Sequence, residues 1–90
     1  MDNTFHVDIV SPEKIIYSQE ALSLVVPAEL GYMGILANHA PLVARLVKGK
    51  ITLKDNSKET KFFDVPGSGF IEVLKNKVTL ILGGLERMGG

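Results

Sequence analysis

Residues 27–42 read PAELGYMGILANHAPL, and the fold turns on how this stretch is resolved into turns and strands. Pro27 closes a β-patterned run. Gly31 and Gly34 bracket Tyr32 and Met33, so a tight tip is expected that presents an aromatic ring and a flexible thioether. Asn38 to Pro41 reads as a second turn: Asn tolerates left-handed backbone, and Pro41 drives Ala40 out of the helical region. The two turns flank the short apolar run Gly34-Ile35-Leu36-Ala37. Tyr32 and Met33 are read as contact residues rather than loop packing, because amphipathic rings and adaptable methionines suit interfaces.

On either side of this stretch the pattern is that of strands. Thr4 to Val10 alternates, with Phe5, Val7 and Ile9 on one face and His6 and Asp8 on the other. Ser11-Pro12 ends it, and Lys14–Ser18 and Ala21–Val26 follow as two more strands. Beyond the central stretch, Leu42–Val47 is expected to reverse at Lys48-Gly49-Lys50 into Ile51–Lys54. Asp55-Asn56-Ser57-Lys58 then turns the chain into Thr60–Val65, and Pro66-Gly67-Ser68-Gly69 is expected to turn it again. Phe70–Leu74 and Lys77–Leu82 form a last pair across Lys75-Asn76-Lys77. That pair is read with Phe70, Leu74, Val78, Leu80 and Leu82 on one face and Ile71, Val73 and Ile81 on the other, both apolar. No window holds a helical period. The fold class is therefore all-β: about ten short antiparallel strands forming a β-sandwich of two packed sheets, or a flattened barrel.

At 90 residues the chain is one domain with a small margin of stability. The sandwich is expected over 1–84, with a short loose tail over 85–90. Ten basic residues balance ten acidic ones, which argues against nucleic acid or anionic lipid as partners. There is no cysteine, hence no disulfide and no thiolate metal site. No run reaches the length of a membrane-spanning helix, and residues 1–6 carry no apolar signal core. Yet 46% of the residues are hydrophobic, so part of the apolar surface is expected to serve a partner.

No set of residues with catalytic, cofactor or metal chemistry emerges. His39 has only His6, in a distant strand, as a possible partner. Its expected role is a turn or interface hydrogen bond. Gly31-x-x-Gly34 and Gly67-x-Gly69 are followed neither by a Lys-Ser pair nor by a helix that could receive an anion, so they read as turns. Glu29 and Glu72 read as solvated.

Three blocks in order and spacing carry a family resemblance: Phe5-His6-Val7-Asp8-Ile9-Val10-Ser11-Pro12; Gly34-Ile35-Leu36-Ala37-Asn38-His39-Ala40-Pro41-Leu42; and Gly69-Phe70-Ile71-Glu72-Val73 with Val78-Thr79-Leu80. Over residues 4 to 87 the chain resembles the epsilon subunit of F-type ATP synthase. The resemblance implies a non-catalytic subunit of the central stalk, without cofactor, that grips the gamma subunit and rests on the membrane c-ring. It further implies that Gly31, Tyr32, Met33 and Gly34 meet the c-ring and that His39, Ala40, Pro41 and Leu42 lie near gamma. The implied location is the cytoplasmic face of a bacterial plasma membrane, or its organellar equivalent, peripheral and through the complex. Ala37 and Asn38 stand where proline and glycine are common, and Gly83-Gly84 where an alanine-aspartate pair is usual. The helical hairpin that usually follows is not expected in a chain that stops soon after Arg87. The rival reading is a free-standing adhesion or ligand-binding sandwich. Under the rotor reading, Met33→Glu is expected to weaken ring attachment more than domain stability.

Overall fold

The computed structural model describes residues 3–83 and builds them into six strands. These are β1 (Phe5–Val10), β2 (Ile15–Ala28), β3 (Gly31–Ile35), β4 (Leu42–Asp55), β5 (Thr60–Leu74) and β6 (Lys77–Leu82). The tail expected over 85–90, with its Glu86-Arg87 element, lies outside the described residues. The strands run in the order β1-β6-β5-β4-β2-β3. Because β1 also pairs with β2, the ring β1-β6-β5-β4-β2 closes into a five-stranded barrel, and β3 is an extra strand on the flank of β2.

The expected count of about ten short strands is therefore corrected to six longer ones. The difference lies at residues that bend a strand without ending it. Lys48-Gly49-Lys50 is not a reversal: β4 runs straight through it, and β5 likewise runs through Pro66-Gly67-Ser68-Gly69. Val47 pairs with Ser68 and Gly49 with Val65, so Pro66 and Gly67 together face Lys48 alone. An extra residue on one strand is a β-bulge, which kinks and twists the ladder. Both strands turn a corner there, and each half serves a different layer of the flattened barrel. β2 does the same: its first half pairs with β1 and its second with β4 and β3, with a register shift between Ala21 and Ser23. The all-antiparallel expectation also fails at one seam, since β1 and β6 run parallel from His6↔Lys77 to Val10↔Ile81.

Inside, Phe5, Val7 and Ile9 are fully buried, as their alternation requires. They meet Leu24, Val26, Ile35, Leu46, Ile51 and Leu53 in one core. In the last hairpin the face assignment is corrected. Ile71 stands opposite Leu80 and Val73 opposite Val78. Directly opposed residues of an antiparallel pair share a face, so these four are buried together, while Phe70 is half-buried and Ile81 and Leu74 are exposed. The hairpin turn has Lys75 and Asn76 at φ 52 and 60. This is the type I′ geometry that matches strand twist, and Asn favours it.

The turn after β4 is held from within. The carboxylate of Asp55 accepts the Ser57 N–H at 2.9 Å, the Ser57 hydroxyl at 3.0 Å and the Glu59 N–H at 2.9 Å. The backbone donor at Glu59 contributes most to holding the Asp55 pKa below the ordinary carboxylate value, helped by Ser57 and by Lys61 at 3.5 Å.

Candidate docking surface

Residues 27–42 form one open flank of the barrel. Here β2 returns as β3 through a tight hairpin whose tip is Glu29-Leu30, not Tyr32-Met33. Leu30 is fully exposed, and Gly31 sits at φ 130, where a side chain would be strained. The Glu29 N–H donates to the Arg45 carbonyl at 3.0 Å, tying the tip to β4.

The expected outward pair at Tyr32 and Met33 is split by the strand alternation. Tyr32 is 66% exposed and stands opposite Pro27. Met33, opposite Val26, is partly buried against the core. Consecutive residues of a strand point to opposite faces, so a strand cannot present both as one knuckle. It follows that Met33→Glu would damage the fold as well as any contact, and the residues suited to probing the surface alone are Leu30, Tyr32 and Val43.

After β3, Asn38 adopts φ 66 and the His39 N–H donates to the Leu36 carbonyl at 3.3 Å. His39 Nδ1 lies 2.8 Å from the Ala40 carbonyl. A carbonyl only accepts, so this nitrogen carries the hydrogen, and His39 serves its own turn. Ala40 and Pro41 are exposed, and Leu42 packs partly against the core.

A groove of about 570 Å³ runs along this flank, lined among others by Leu30, Tyr32, Met33, Leu42, Val43 and Arg45. Thus Gly31, Tyr32 and Met33 from one predicted contact group and Leu42 from the other share a single groove. Gly34, His39, Ala40 and Pro41 stand outside its lining. Val43 continues it into a second depression bordered by Phe70 and Ile81, and the Arg45 guanidinium lies over the Phe70 ring, 5.5 Å from its centre. The apolar surface is therefore longer than the stretch 27–42 alone indicates. The signal for its extension was the excess of apolar residues on the outer face of β5 and β6.

A second cluster lies on the outer surface of β1 and β2. His6 Nδ1 is 3.0 Å from Glu20 Oε2, and His6 Nε2 is 3.0 Å from Asp8 Oδ1. Ser18 donates to the same Asp8 oxygen at 2.6 Å. The serine hydrogen is thus committed to a carboxylate rather than to the imidazole, which is not the arrangement that activates a hydroxyl nucleophile. Its hydrogen bond to Glu20 chiefly raises the His6 pKa, and the bond from Ser18 chiefly lowers that of Asp8. Sequence reading took His6 as a plain strand residue. The signal missed was His-x-Asp on β1 facing Ser-x-Glu on β2. Among the described residues no group of His, Cys, Asp and Glu could hold a metal ion.

Residues 4–88 match the model of the ATP synthase delta/epsilon chain β-sandwich domain. The chain belongs to this family. The ATP synthase epsilon chain of Alkalilimnicola ehrlichii is 48% identical to it over 79 residues, a match covering 88% of this chain and 56% of that relative. The epsilon chain of Chlorobium limicola is 40% identical over 80 residues, covering 89% of this chain and 90% of the relative. The chain spans only 56% of the length of the Alkalilimnicola ehrlichii and Dichelobacter nodosus epsilon chains. Among solved structures, a chain of the Euglena gracilis mitochondrial ATP synthase (OSCP/F1/c-ring, rotational state 1) superposes with a TM-score of 0.84 at 17% identity. That match covers 91% of this chain and 52% of the Euglena chain, and at this identity it bears on the fold.

Proposed function

We propose that this chain is a non-catalytic rotor subunit at the foot of the central stalk of an F-type ATP synthase. It clamps the gamma subunit to the c-ring, so that proton flow is coupled to ATP synthesis. The observation that carries this reading is the apolar surface running from Leu30 and Tyr32 over Val43 to Phe70 and Ile81 on a delta/epsilon-type β-sandwich. A transmission element needs stiffness, which a closed, hydrogen-bonded barrel with a close-packed core supplies. It also needs a few apolar anchors within a polar rim, which this flank supplies.

Within this reading Gly31, Tyr32, Met33 and Gly34 face the c-ring, and His39, Ala40, Pro41 and Leu42 face gamma. That Leu42 lines the same groove as Gly31, Tyr32 and Met33 supports placing the two contacts side by side. The protein would lie at the cytoplasmic face of a bacterial plasma membrane, or its organellar equivalent, peripherally and through the complex. Co-purification tests this: a tagged chain expressed in its native host should bring down gamma and the c-ring from detergent-solubilised membranes. A monomer that retains neither would favour a free-standing adhesion or ligand-binding sandwich.

A further inference from the structure

Gly49 stands at the corner of β4, and its φ lies outside the left-handed region, so its backbone conformation does not call for glycine. Space does. A Cβ at Gly49 would stand 2.7 Å from Pro27 Cβ, 3.0 Å from Pro27 Cγ and 3.1 Å from the Tyr32 hydroxyl oxygen. The pyrrolidine ring is tied to its own backbone and cannot swing away from such an approach.

Pro27 lies between the other two. Leu24 and Val26 are core residues, so strand alternation turns Val25 and Pro27 to the outer face. Val25 is exposed there, yet Pro27 is buried. The β2–β4 ladder breaks between Val25↔Thr52 and Ala28↔Leu46, which suits a residue with no N–H to give. Tyr32 stands opposite Pro27 on β3, and its hydroxyl lies beside Gly49 on β4, the far side of β2. Two strand spacings are about 10 Å, which an upright tyrosine does not bridge, so the side chain lies down across Pro27. That places a buried proline beneath a tyrosine that is itself 66% exposed.

We propose that Gly49 and Pro27 are positioning residues for the c-ring contact, forming a seat that holds the Tyr32 side chain flat against the sheet. This rests on the reading that Tyr32 faces the c-ring, and deepens it. A free surface tyrosine gives up rotamer freedom when a partner closes on it. A seated one has given it up beforehand, so the same contact binds more tightly. Gly49 acts here through Tyr32: its missing side chain is what lets the hydroxyl and the proline ring share the corner.

The test joins a spectrum to a binding cycle. In the isotope-labelled chain the Tyr32 ring protons should give NOEs to the Gly49 α-protons and to the Pro27 ring. Association is then measured with the detergent-solubilised gamma–c-ring assembly of the Alkalilimnicola ehrlichii synthase. Gly49→Ala should weaken it about fivefold or more when Tyr32 is present and less than about twofold in a Tyr32→Ala background, as residues acting through one another do. Pro27→Ala takes atoms out of the seat and adds none to the corner. It should show the same coupling, and it decides the matter where Gly49→Ala fails to fold. Absent NOEs, a Tyr32→Ala chain that binds as the unaltered chain does, or equal effects in both backgrounds would overturn the inference while the docking reading stands. If the unaltered chain does not bind the assembly, the rotor reading fails, and the inference fails with it.

Discussion

Asn38 and Asn76 grip each other across 38 positions of sequence. The Asn76 amide nitrogen donates to the Asn38 side-chain oxygen at 3.1 Å, and the Asn76 side-chain oxygen accepts the Asn38 backbone N–H. The Asn76 carbonyl in turn accepts the His6 N–H at 2.9 Å. One turn residue thus ties the 36–41 connection, the β5–β6 hairpin and the start of β1 together. The grip fixes the path of the chain between β3 and β4.

Asn76→Ala removes both side-chain bonds and leaves at φ 60 a residue without the short polar side chain that makes left-handed backbone tolerable for Asn. A loss of about 1–3 kcal/mol is expected in urea denaturation, from two exposed hydrogen bonds and local strain. Asn76→Gly keeps the turn and loses only the bonds, so it should cost less than Asn76→Ala. Equal costs would show that the reciprocal pair dominates and the left-handed backbone matters little.

Two glycines should respond in opposite ways. A Cβ on Gly69 would press into the backbone carbonyl of Ile81, which the β5–β6 ladder fixes in place. Gly69→Ala is therefore expected to destabilise by about 1–3 kcal/mol, as overpacking does. Gly34→Ala meets open space and should stay within about 0.5 kcal/mol of wild type. Thermal melts of the two variants decide it, and a neutral Gly69→Ala would contradict the register described for this hairpin.

The His6 cluster gives the domain a pH signature. The His6 pKa is raised in the fold, so its contribution is complete below about pH 6.5 and fades as pH rises through the folded value. The Asp8 pKa is lowered, so its contribution is present above about pH 4 and fades as pH falls through the folded value. The cluster stabilises most between these limits. His6 is 36% exposed and solvent screens the pair, so roughly 0.2–1 kcal/mol is at stake. Subtracting the pH–stability curve of His6→Gln from that of wild type should leave a step that falls as pH rises from about 6.5 through the raised folded value. A flat difference would show that the histidine does not bond to Glu20 and Asp8 in solution.

Much of this was legible in the sequence, and the misses share a cause. Strand alternation at Phe5, Val7 and Ile9 and the turns at Asp55–Lys58 and Lys75–Asn76 are local, and local signals sufficed. Gly49 and Pro66-Gly67 carry the same composition as a turn, but in paired long strands they form a corner. Only the partner strand distinguishes the two outcomes. The parallel β1–β6 seam joins the two ends of the described chain, and no short window contains it. At the candidate surface, reading Gly31–Gly34 as a loop tip misplaced Met33. Once those residues form a strand opposite Val25 to Ala28, alternation sends Tyr32 outward and Met33 inward.

The central claim is that the exposed apolar flank is a rotor docking surface, and the most direct measurement is binding by a variant that alters the surface without touching the core. Val43 is 69% exposed and joins the two depressions, and Leu30 is fully exposed at the hairpin tip. Leu30→Glu with Val43→Glu should leave the melting temperature within a few degrees of wild type. It should weaken association with gamma and the c-ring by roughly tenfold or more, as a buried charge does in a desolvated contact. Wild-type retention of both partners by a folded double variant would contradict the account.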